Sequence, residues 1–193
     1  MPEGISYQDS SFKKVVSLVH PDVRQSYNVL GGVGGSIIEA GTIFGMITDE
    51  EHSDAGKVRP LGLTYITQTQ EEAVSTFKVA DASVLKVGDS IKITAAGDAL
   101  TITAVDTENN TFSIATEDAL TADEDDEVIV QDGSDVAFAV SIEPMGVSAT
   151  AQPVSLLIHG CVYEEAITNV LLPAQLAAAK SDLFARLWFV ESY

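Results

Sequence analysis

The chain has 193 residues with 10 basic and 29 acidic side chains, a net charge of -19, and 46% hydrophobic but only 7% aromatic content. Such a charge repels phosphate backbones and anionic membrane surfaces, so neither nucleic acid nor membrane is an expected partner. The apolar fraction is ample for a packed core, and its Ala, Val, Ile and Thr content favours strands over long helices.

In chain order, Met1-Pro2-Glu3-Gly4 shows neither the basic nor the apolar part of a secretory leader, and no apolar run reaches membrane-spanning length. The expectation is a soluble chain made in a cytoplasm. Residues 1–11 are polar, and Phe12–Val19 is a β-prone run. His20-Pro21-Asp22 reads as a turn, and Gly31-Gly32-Val33-Gly34-Gly35 as a flexible hinge or loop. Residues 1–35 therefore read as an arm. Ser36–Ile47 reads as two short strands about a turn, Thr48–Gly56 as an acidic loop and Lys57–Pro60 as extended chain.

Residues 70–135 differ from their surroundings. They hold 16 of the 29 acids and three bases, Lys78, Lys86 and Lys92. Short alternating runs at Phe77–Ala80, Ser90–Thr94, Ala99–Val105, Thr111–Ala115 and Glu127–Gln131 are separated by Gly, Asn and Asp turns. That rhythm predicts a small β-barrel or sandwich inserted between two outer parts, 36–69 and 136–193. The flanking strands, Val58–Leu63 and Val136–Val140, are expected to meet. In the last part Val136–Pro144 and Pro153–Tyr163 read as strands. Pro173–Leu187 reads as the one helix, with an apolar stripe of Leu176, Ala179, Leu183 and Leu187. Leu187–Val190 closes the chain as an apolar strand. The fold class is mainly β with one C-terminal helix.

The sequence offers little chemistry. Cys161 is the single cysteine, which excludes an internal disulfide, and it lies in the apolar run Leu156–Val162 as a small buried hydrophobe. None of His20, His52 and His159 has metal-ligand spacing, and His159 reads as a structural, hydrogen-bonded histidine. The Gly31–Gly35 run lacks the Gly-Lys-Ser/Thr ending of a phosphate loop. Asp123–Glu127 lacks the spaced ligands of a calcium loop and reads as a solvated acidic turn. No catalytic residue, cofactor or metal is expected, and the chain does not read as an enzyme.

Four segments carry a resemblance. Ile38–Asp49, with its Gly41-Thr-Ile-Phe-Gly45, resembles the opening of tailed-phage head decoration proteins of the lambda type. Phe138–Gly146 resembles their next strand, Pro153–Val162 with His159-Gly160 their following one, and Pro173–Val190 their closing helix and final strand. The resemblance covers mainly residues 36–62 and 136–190, and the segment at 70–135 departs from it.

The resemblance implies a decoration-protein β domain carrying an insert. It also implies a homotrimer on the outer capsid surface of the virion, bound to the major capsid protein through its N-terminal arm. Phe12, Val15, Val16, Leu18 and Val19 are the arm residues expected to bind capsid. His159, Leu183, Trp188 and Phe189 are the candidates for the core or the trimer contact. Two other readings compete: a head-fibre-like module that attaches the particle to host or glycan surfaces through the insert, and a small hydrolase using His159 with an Asp.

Overall fold

The structure is a computed structural model that describes residues 22–33, 35, 37–94 and 97–191. The β-prone run Phe12–Val19 lies outside the described residues. The strands in chain order are β1 (Val23–Val29), β2 (Ile37–Ile38), β3 (Ile43–Met46), β4 (Val58–Pro60), β5 (Leu63–Tyr65), β6 (Gln70–Val74), β7 (Thr76–Lys78), β8 (Ser90–Ile93) and β9 (Leu100–Thr101). They continue with β10 (Ala104–Asp106), β11 (Thr111–Ser113), β12 (Leu120–Ala122), β13 (Glu127–Val130), β14 (Ala137–Ser141), β15 (Met145–Gly146) and β16 (Gln152–Tyr163). The helix α1 (Pro173–Leu183) and β17 (Leu187–Val190) end the chain. The chain is mainly β, with one α-helix among the described residues.

The first body is a six-stranded sheet in the order β1-β4-β3-β14-β16-β17, closed on itself by a further β1–β16 pairing. β16 is long enough to serve three neighbours. Its first part pairs antiparallel with β1, from Val29↔Gln152 to Val23↔His159. Its middle pairs with β14 at Val140↔Leu157, and its end pairs parallel with β17 at Gly160↔Leu187. Successive residues of a strand face opposite ways, and here both faces are covered. Ile43, Val140 and Leu157 pack with Ala179 and Leu183 of α1 and with Leu187. Their neighbours Phe44, Ala139 and Leu156 pack on the other side with Val29 and Val58. This explains the nearly continuous apolar runs in β3, β14 and β16.

Within the stretch read as an arm, Val23–Val29 is instead a seven-residue strand of this sheet. Its side chains are mostly exposed, so it lacks an apolar signature. Backbone pairing with β16 holds it in place, together with Tyr27, whose ring meets Phe138 edge-on at 5.1 Å. The helix begins as expected at Pro173, where Gln175 accepts the Leu172 N–H at 2.9 Å. It ends at Leu183, four residues before the sequence pattern does, because Leu187 belongs to β17.

The second body comes from one continuous stretch of chain. Its sheets are β5-β13-β8-β9, β10-β11-β7 and β12-β6. They enclose a separate core in which Phe77 and Phe112 stack at 5.4 Å beside Ile91, Ile93, Ile102, Val128 and Val130. The pairing begins earlier than 70, since Leu63 is already in register with Ile129.

The chain leaves the first body and returns to it at one point. The Gly62 N–H donates to the Ser134 carbonyl at 2.9 Å, and the Val130 N–H donates to the Gly62 carbonyl at 2.9 Å. A Cβ at Gly45 would collide with the Ser134 backbone, so that position needs glycine for this close approach, and one at Gly62 would crowd the Ser134 hydroxyl. The expected meeting of Val58–Leu63 with Val136–Val140 does not occur by direct pairing. β4 and β14 lie on opposite sides of β3, which pairs with both.

Arg59 in β4 crosses this junction with no exposed surface. Its Nη2 donates to Asp89 Oδ2 at 2.6 Å and to the Val84 carbonyl at 2.5 Å, and its Nη1 donates to Asp132 Oδ2 at 3.1 Å. Burial opposes the charge on Arg59. The hydrogen bond and charge of Asp89, with Asp132, outweigh it and hold the guanidinium above its ordinary pKa. Removing Arg59 leaves two buried carboxylates without their cation, and removing Asp89 leaves the buried guanidinium with Asp132 alone. Asp89→Ala and Arg59→Ala are each expected to cost about 3–5 kcal/mol in urea unfolding. Trp188 is the single tryptophan and sits in the first body. In the wild type its fluorescence and the far-ultraviolet dichroism are expected to report one coincident transition. In Arg59→Ala the two are expected to separate.

Candidate functional site

The described residues present two surfaces where function can be sought: the glycine run beside the junction, and the C-terminal edge of the first body. At Gly32 and Val33 the glycine loop is tied down. Val33 is fully buried with Leu30 and Ile47, and the Gly32 N–H donates to the Ser148 carbonyl at 2.8 Å. The run faces Ser83 and Lys86 across a shallow hollow that Val87 and Val105 also line. A single partly buried lysine and two hydroxyls, Ser83 and Thr107, form no phosphate cradle of the glycine-loop type.

The acidic run Asp123–Glu127 is a tight turn. Asp126 accepts the Asp123 N–H at 2.8 Å, the Thr69 hydroxyl accepts the Glu124 N–H at 3.1 Å, and Asp125 takes a φ of 70°. Among the described residues, no three His, Cys, Asp or Glu side chains group as metal ligands do.

At the C-terminal edge, α1 lies over the first body and hands the chain to β17. Leu187 points inward and Phe189 packs partly against the same core, while Trp188 between them faces outward and is 50% exposed. Phe184, just after the helix, is 72% exposed. Together Phe184, Leu187, Trp188 and Phe189 line an apolar hollow with Lys180 at its rim. Lys180 is held by Glu164 at 2.6 Å, and its ammonium lies 5.7 Å from the centre of the Phe189 ring. Arg186 lies 5.0 Å from the centre of the Phe138 ring. The Ala137 N–H donates to Asp182 Oδ2 at 3.1 Å, which brings the exposed Val136 beside the last turn of α1. Exposed aromatic side chains gathered in one place mark contact surfaces more often than solvated ones.

The capsid-binding candidates Phe12, Val15, Val16, Leu18 and Val19 lie outside the described residues. The other candidates divide. Leu183 is fully buried core. Phe189 is half-buried against that core, and Trp188 is surface. His159 is exposed on β16 opposite Val23, away from the core that its apolar neighbours form. Phe184 is exposed in larger proportion than the aromatic candidates Trp188 and Phe189. The sequence pattern hides it inside the expected helix, where it falls off the apolar stripe. Cys161 is buried, as its surroundings suggest.

Asp135 is the one carboxyl near the junction pushed to a higher pKa. The main cause is burial, with smaller contributions from the charges of Asp132 and Asp182. Comparison with family models, with curated proteins and with solved structures finds no match for this chain.

Two outcomes follow from this placement. Leu183→Ala is expected to cost about 2–5 kcal/mol of stability, and Trp188→Ser distinctly less, both measured by urea denaturation. A carboxyl whose pKa is raised by folding favours the folded state in its protonated form and opposes it once ionised. Asp135→Asn is therefore expected to raise stability at neutral pH. The gain should shrink as pH falls through the titration of Asp135, seen as a smaller shift in thermal midpoint in acid.

Proposed function

We propose that this chain is a structural protein of a virus particle, one that decorates the outer surface of a tailed-phage capsid as a trimer bound to the major capsid protein. The observation that carries this reading is the grouping of the four segments that resemble head decoration proteins. Ile38–Asp49, Phe138–Gly146, Pro153–Val162 and Pro173–Val190 are dispersed along the sequence, yet they supply β3, β14, β16, α1 and β17 of a single body. The stretch that departs from the resemblance packs round its own core and joins that body where Gly62 meets Ser134. Such a layout would suit a decoration-protein domain carrying an inserted β-domain.

Physical considerations favour the same role. A decoration protein needs surfaces rather than an active site, and the N-terminal run with Phe12, Val15, Val16, Leu18 and Val19 has the β-prone character that strand addition to a shell uses. A trimer engages three shell sites together, so three weak contacts become one strong attachment. The insert, with its 16 acids, would face outward and keep a crowded particle surface soluble.

Reconstruction of particles with and without the chain tests the reading. The expected result is added density on the outer face of the shell at local threefold positions. Density elsewhere, or a purified protein that binds glycans or cells but not shells lacking it, would defeat the reading in favour of a fibre-like attachment module.

A further inference from the structure

Eight of the ten basic side chains lie among the described residues, in a protein with 29 acids. Four of the eight are held by carboxylates: Arg24 by Asp22, Lys57 by Asp54, Arg59 by Asp89 and Asp132, and Lys180 by Glu164. Three of the others are lysines of the second body. Lys78 and Lys92 are exposed on β7 and β8, and the charge of Lys86 acts on Asp54. Arg186 is the fourth, and it belongs to the first body.

Arg186 is half-buried, and its guanidinium lies over the ring of Phe138, 5.0 Å from the centre. Tyr27 meets the same ring edge-on at 5.1 Å. The attraction comes from the ring quadrupole, so it leaves the guanidinium's fork of N–H donors available to an acceptor. Among the described residues no carboxylate lies within ion-pair distance of Arg186. Asp182, four residues earlier, accepts the Ala137 N–H at 3.1 Å instead. Apolar surface flanks the pair: Trp188, two residues after Arg186, is 50% exposed, and Val136, two residues before Phe138, is 55% exposed. A placed, unpaired fork of donors beside aromatic and aliphatic surface fits a planar carboxylate carried on an apolar body. A phosphate would match the charge but leave the apolar surface uncovered, and a net charge of -19 repels a dianion more strongly.

We propose that Arg186 anchors a binding site for a carboxylate borne on an aromatic or aliphatic group. Phe138 holds the guanidinium in place, and Trp188 and Val136 cover the apolar part of the ligand. Placement in advance matters because an arginine already settled on a ring loses little side-chain freedom on binding. The site does not depend on the capsid reading.

The probe is benzoate at neutral pH on the full chain. Binding is read by the fluorescence of Trp188, the single tryptophan, and by the side-chain N–H signals of Arg186 in nuclear magnetic resonance. Benzoate is expected to give a saturable change. It should bind about tenfold more tightly than benzamide, which lacks the charge, or acetate, which lacks the ring. Arg186→Gln is expected to lose about tenfold of this affinity. Arg186→Lys keeps the charge without the fork, so it should bind with intermediate strength, and it replaces the first variant if circular dichroism shows that one unfolded. No saturable response to benzoate overturns the site, as does equal binding of benzamide or acetate. So does an affinity unchanged by Arg186→Gln, or by Arg186→Lys where the first does not fold. Peptides distinguish the sources of such a carboxylate. Acetyl-Leu-Glu-Phe-amide carries it on a side chain, and acetyl-Leu-Gln-Phe carries it at the C-terminus. Whichever binds more tightly to the wild type identifies the source, and acetyl-Leu-Gln-Phe-amide, which has neither, is expected to bind more weakly than both. If it binds as tightly, the site does not recognise a carboxylate and the proposal fails.

Discussion

A guanidinium with no exposed surface joins two separate bodies of apolar packing. Arg59 leaves β4 of the first body and finds its partners, Asp89, Asp132 and the Val84 carbonyl, in the second body and on the chain that returns from it. One positive charge faces two carboxylates in a space that excludes water. Buried ion pairs add little stability compared with apolar packing, but they are unforgiving of misplacement. Their effect here is positional. Asp89 also accepts the Lys86 N–H, and Asp132 accepts the Ser134 N–H, so the loops on either side are ordered by the same carboxylates that hold Arg59.

The glycines at the crossing follow from this constraint. Gly45 lets the backbone at Ser134 approach closely, Gly62 makes room for the Ser134 hydroxyl, and the Asp132 carbonyl accepts the N–H groups of Thr48 and Asp49 at 2.9 and 3.1 Å. The second body is tied at its root by backbone hydrogen bonds, by side-chain charge and by close packing. It has its own core, yet several kinds of contact converge on its root. An acidic body mounted this way would hold a fixed orientation on whatever the first body binds.

Charge and apolar exposure are distributed in complementary fashion. The middle stretch carries most of the acid, while the described ends of the chain, β1 and the region from α1 to β17, are close to neutral. The exposed aromatic side chains Phe184 and Trp188 lie in that neutral region. Two effects would bear on any contact made there, repulsion between like-charged faces and the cost of leaving aromatic area in water. The two effects act over different ranges, screened charge over about 10 Å and apolar contact only on touching.

Local pattern determined much of this molecule. Alternation in Phe77–Lys78, Ser90–Ile93 and Thr111–Ser113 marked strands, because one face of each is buried and the other is solvated. Pro173 marked the start of the helix, and the apolar run around Cys161 marked a strand buried on both sides. The excess of acid in the middle stretch distinguished it before any contact was known. Tertiary structure alone decided the rest. β1 carries polar, exposed side chains, and only its pairing with β16 makes it a strand. The helix ends at Leu183 because Leu187 is taken by Gly160 of a strand far away in sequence. Arg59 gave no sign of burial, since a lone arginine between Val58 and Pro60 has the composition of a surface strand. Its partners lie 30 and 73 residues further on, and a charge can leave water only where such partners converge on it.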